Sequence, residues 1–167
     1  MKAQQYRIAA FVILSGLAAF AQSAARETFD TIKSLAGEWE GKNSMGDRVR
    51  VSYRVTADGS ALMSEIQSQM KGDNHDMVSM IHMDRDRLLL THYCAAGNQP
   101  RMQASRSADG KTIRFDFVDA TNLASPDAGH MQRVIFTILD AKHHTEHWYF
   151  VDHGRERVET FNLERKS

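Results

Sequence analysis

Cysteine is almost missing from this chain: Cys94 is the only one in 167 residues. A single thiol cannot close an internal disulfide, and no cysteine follows the N-terminal apolar run to carry a lipid. Proline is scarce as well, with only Pro100 and Pro126, and no Pro-rich or low-complexity linker divides the chain. Neither sign of charge dominates, since 21 Lys+Arg face 21 Asp+Glu. That balance lacks the basic face a nucleic-acid partner requires. No apolar run reaches the roughly 20 residues that span a bilayer. Catalytic signatures are lacking too. There is no Gly-x-Ser-x-Gly, no phosphate-cradling glycine loop, no dinucleotide fingerprint and no zinc-binding His pair on a helix. The chain therefore reads as a non-enzyme with no cofactor motif.

What is present begins with an export pattern. Lys2 and Arg7 precede the 14-residue apolar run Ile8 to Ala21, and small residues follow. This is the order of a cleavable secretory signal, expected over residues 1–25, with exit after Ala21 or Ala25. The product is expected to be periplasmic or secreted, with no membrane span. Removing 25 of 167 residues leaves 142, one domain over residues 26–167, expected as a monomer or weak dimer. A domain of that size buries about 68–70% of its unfolded surface and needs no covalent staple.

One helix is predicted, Glu27 to Ala36, with Phe29, Ile32 and Leu35 on one stripe and Gly37 as its stop. Beyond Gly37 the pattern has period two: Val49, Val51, Tyr53 and Val55 alternate with Arg48, Arg50, Ser52 and Arg54. Turn signals recur, among them Ala57-Asp58-Gly59, Ala108-Asp109-Gly110 and Asp152-His153-Gly154. They divide the chain into about ten strands, at 38–43, 47–56, 60–70, 76–83, 87–94, 100–106, 111–119, 130–139, 144–151 and 155–164. The one long break, Ala120 to Gly129 with Pro126, is expected to be a lid-like loop or a short helical turn. Ten hairpin-linked strands leave two open edges unless the sheet closes. The expected fold is all-β, an antiparallel up-and-down barrel, with a β-sandwich as the alternative.

The segment Leu35-Ala36-Gly37-Glu38-Trp39-Glu40-Gly41, after a short helix, resembles the Gly-x-Trp start of the calycin superfamily (lipocalins, fatty-acid-binding proteins, nitrobindins). Thr91 to Met102, Gly129-His130-Met131 and His147-Trp148 resemble a family of uncharacterised exported bacterial lipocalin-like proteins. The resemblance covers most of residues 30–165 and implies a barrel without naming a reaction. The arginine that packs on the Gly-x-Trp tryptophan in lipocalins has no assignable counterpart in the sequence. Nitrobindin-like barrels use a histidine to hold haem, so interior histidines are the alternative the resemblance raises.

Candidate ligand contacts follow from the alternation. Trp39 is expected to plug the closed end. Met80, Leu90, Phe115, Phe136 and Trp148 are read as facing inward, with Glu65, His92, Arg101 and His130 as a thin polar set. That mixture suits a small hydrophobic molecule with one polar end. His92 and Cys94 share a face and could offer two ligands to a soft metal. Met77, Met80 and Met83 suggest copper by type, but a strand puts Met80 opposite the other two. In the cluster at 143–147, His144, Glu146 and Trp148 project to one side and His143 and His147 to the other.

Overall fold

The computed structural model describes residues 24–70 and 73–167, with the side chains of 69, 70, 73 and 74 left aside. Nearly all of the expected signal segment lies outside the described residues. A helix, α1, covers 24–33 and ends in a turn before Gly37. Ten strands follow. They are β1 (Gly37–Lys42), β2 (Arg48–Thr56), β3 (Ala61–Met70), β4 (Asp73–Asp84) and β5 (Arg87–Tyr93). The second half supplies β6 (Gln99–Arg106), β7 (Thr112–Thr121), β8 (His130–Ile138), β9 (His143–Asp152) and β10 (Arg155–Arg165). Each strand is antiparallel to its sequence neighbour, and β1 pairs with β10 to close the barrel. This is the up-and-down closure that removes both sheet edges.

Two glycines make the closing seam possible. A Cβ on Gly41 would lie 1.8 Å from the Asn162 carbonyl oxygen, so only glycine lets β10 approach β1 there. Gly37 has a φ of +133°, and a Cβ on it would meet the Arg165 guanidinium at 2.7 Å. The turn between β2 and β3 is left-handed throughout, with Ala57, Asp58 and Gly59 all at positive φ.

One end of the barrel is plugged. Phe29 and Ile32 of α1, with Leu35, are buried in the same apolar cluster as Trp39. The Trp39 Nε1–H donates to the Leu35 carbonyl at 2.7 Å. Arg165, at the far end of the chain, lays its guanidinium over the Trp39 ring at 4.3 Å. It also donates to the carbonyls of Ala36, Ser34 and Ala141 at 2.6, 2.8 and 3.0 Å. Arg165 thus covers the plug tryptophan, a contact that the sequence alone does not assign. Among the described residues no helix is long and apolar enough to cross a membrane.

Candidate functional site

Inside the barrel, alternate residues of β9 and β10 form a column rising from the plug: His144, Glu146, Trp148 and Phe150, opposite Leu163, Phe161, Glu159 and Arg157. The Glu146 carboxylate is fully buried, and three donors converge on it. The Tyr53 hydroxyl and His144 Nε2 (3.1 Å) reach Oε1, and Trp148 Nε1 reaches Oε2 at 2.8 Å. The other ring nitrogen of His144, Nδ1, is buried without a partner. The His144 ring also stands edge-on to Trp39 at 4.2 Å, linking plug and network. Burial first, and the Glu146 charge second, push the Tyr53 phenol well above its ordinary value. Tyr53 therefore stays a donor. The carboxylate, held by three donors, ties β2 to β9 across the interior.

His92 on β5 occupies the next level. It is fully buried, its Nδ1 lies 2.9 Å from Ser79 Oγ, and its ring rests 4.8 Å from that of Trp148. Nε2 has no partner. Burial lowers the His92 pKa to about 4. The unfolded chain then takes up a proton near the ordinary pKa of about 6.5 while the folded state does not, so stability falls as pH drops toward 4. Between pH 7 and pH 4 the wild-type barrel is expected to lose on the order of 2–3 kcal/mol more than His92→Gln, read from urea midpoints. Parallel pH profiles for the two proteins would contradict this placement of His92.

Above Trp148 the barrel opens into a cavity of about 440 Å³. It is ringed by Met45 from the β1–β2 loop, Met77 of β4, Met131 of β8, Phe150 of β9 and Val158 of β10, with Trp148 as its floor. All of these but the floor come from strand ends and loops opposite α1. The polar lining is His75, Cys94, Arg157 and Glu159. Burial raises the Cys94 thiol, which is half-buried. Methionine walls are adaptable and apolar, as a pocket for a variable small molecule requires.

Several expected contacts lie elsewhere. Trp148 lines the cavity, and His92 lies below it in the interior. Trp39 is at the opposite, plugged end. Glu65 is a correction: it is exposed on the outer surface, accepting from Ser52 Oγ at 3.3 Å, because Ser64, Ile66 and Ser68 hold the inward positions of β3. Arg101 is also outside, in an ion pair with Asp119 made through both Nε (2.6 Å) and Nη2. Its neighbours Pro100 and Met102 are the buried ones. His130 is buried but sits under the 122–129 loop, 4.7 Å from the Phe117 ring, with Nδ1 2.7 Å from the Ala128 carbonyl. A bulge between Met131 and Arg133 turns Met131 inward and sends His130 to the face of its cross-strand partner Val151. Met80 likewise faces away from the buried Ser79 and Ile81.

Sequence reading missed Tyr53, Ser79, Glu159 and the arrangement of donors around Glu146. The shared face of His144, Glu146 and Trp148 was the available signal. Among the described residues no three of His, Cys, Asp and Glu converge, and His75 at the rim is the one histidine lining the mouth.

No protein-family model and no curated protein matches the sequence. Among solved structures the chain is similar to Rv2717c from M. tuberculosis, with a TM-score of 0.60 and 16% identity. The match covers 84% of this chain and 98% of that one. The shared property is the fold, a closed antiparallel barrel.

Proposed function

We propose that the open end of this barrel binds a small, mainly apolar molecule. The observation that supports the reading is the cavity of about 440 Å³ walled by methionine, phenylalanine and tryptophan. Its size falls within the roughly 300–1,000 Å³ of small-molecule sites. The plugged end and the Glu146 network give it a rigid floor, which lowers the ordering cost of binding. No observation favours the metal or haem alternative over this one, because the interior histidines sit below the cavity floor.

The export pattern at Lys2, Arg7 and Ile8 to Ala21 supports a periplasmic or secreted setting. Of the two exits, cleavage after Ala21 keeps the first turn of α1, where Thr28 Oγ1 donates to the Ala24 carbonyl at 2.8 Å.

The test is a titration with a neutral naphthylamine dye whose emission rises in apolar surroundings. One equivalent is expected to saturate the folded protein, and emission is expected to fall to the free-dye level in denaturant. Absence of saturable binding by this dye and by simple long-chain alcohols would remove the reading.

A further inference from the structure

Glu159 carries an unmet requirement into the cavity. It faces inward as the cross-strand partner of Trp148, lines the mouth, and is half-buried. Its Oε1 is shut off from water and has no hydrogen-bond partner, and among the described residues no cation pairs with it. A carboxylate oxygen only accepts, so the missing partner is a donor. A buried acceptor left unpaired is costly, and a bound molecule that supplies the donor recovers that cost. Across Trp148 lies a second unpartnered atom, the fully buried His92 Nε2.

The other charged groups at the mouth do not satisfy Glu159. Arg157 is two residues nearer the opening, exposed, with its guanidinium 5.4 Å from the Phe150 ring centre. His75 is half-buried on the lining contributed by β4. An acidic ligand would bring a second negative charge to the deep end and could meet Arg157 only at the water-exposed rim. A cationic head reaches a half-buried carboxylate, where water screens the attraction less.

We propose that the molecule held in this cavity is an apolar amine, its protonated nitrogen donating to Glu159 and its hydrocarbon lying along Met77, Met131 and Phe150. The inference rests on the binding reading above and names the ligand class for the same site.

The experiment measures the affinities of n-octylamine, n-octanol and n-octanoate for wild-type protein and for Glu159→Gln at neutral pH, by displacement of the naphthylamine dye. Octylamine is expected to bind wild-type protein about tenfold or more tighter than octanoate, the scale of one charge-assisted hydrogen bond. Glu159→Gln is expected to weaken octylamine by about tenfold and to leave octanol within about twofold. Octanoate binding as tightly as octylamine, or an amine-to-acid ratio unchanged by the substitution, overturns the amine assignment while leaving the cavity reading intact. Binding of none of the three overturns both. The wild-type ratio decides the matter alone if Glu159→Gln does not fold.

Discussion

Replacing Glu146 with alanine is expected to cost on the order of 4 kcal/mol or more of folding stability, since each stranded buried donor costs about 1–3 kcal/mol. The substitution strands three at once: the Tyr53 hydroxyl, His144 Nε2–H and Trp148 Nε1–H. It also opens a void in a close-packed interior. Glu146→Gln keeps one oxygen acceptor but turns an amide N–H₂ toward a donor, so its expected cost is about half as large. Urea unfolding monitored by tryptophan fluorescence reads both, with the midpoint falling and the slope unchanged. A loss below about 1 kcal/mol for Glu146→Ala would mean that the network contributes little to the fold.

Trp148→Ala is expected to act on stability and binding together. Its ring packs on His92 at 4.8 Å and Phe136 at 6.3 Å, and it forms the floor of the mouth cavity. Truncation of a buried tryptophan costs about 3–5 kcal/mol. The dye should then bind weakly or not at all, because the cavity loses its base. Trp148→Phe separates the two roles. It keeps most of the ring volume but drops the hydrogen bond to Glu146, at a cost of about 1–2 kcal/mol. Dye affinity should stay close to wild type in that variant. Unchanged dye affinity in Trp148→Ala would place the bound dye outside this cavity.

The strand plan was legible because alternation and turn chemistry agree along the chain. Val49, Val51 and Tyr53 of β2, and Ile113 and Phe115 of β7, are buried where period two puts them. The same alternation placed His144, Glu146 and Trp148 on one face. It failed where the inward residues are small or polar. In β3 the buried Ser64 and Ser68 flank Ile66, so the outward Met63 and Gln67 looked as suitable for the interior as the true phase. A phase error of one residue reverses every side chain, which is how Glu65 was misplaced. His130 was misplaced for a different reason. Counting back by twos from Phe136 and Val134 reaches it, but the bulge at Met131/Arg133 inserts a residue that sequence does not announce. The Arg165–Trp39 contact joins opposite ends of the described chain through the β1–β10 seam. No local pattern carries it. Glu159 escaped notice because alternating charges at a strand end usually mark a solvated edge.

The most direct test of the binding account reads the naphthylamine titration at Cys94, the only cysteine, which lines the mouth beside Ala95 and Ala96. Alkylation of native protein by a small maleimide is followed with and without saturating dye. The account predicts that labelling slows in proportion to dye occupancy and that Trp148→Ala abolishes the protection at the same dye concentration. Saturable dye binding with the Cys94 labelling rate unaffected would contradict it, because the dye would then sit elsewhere on the barrel.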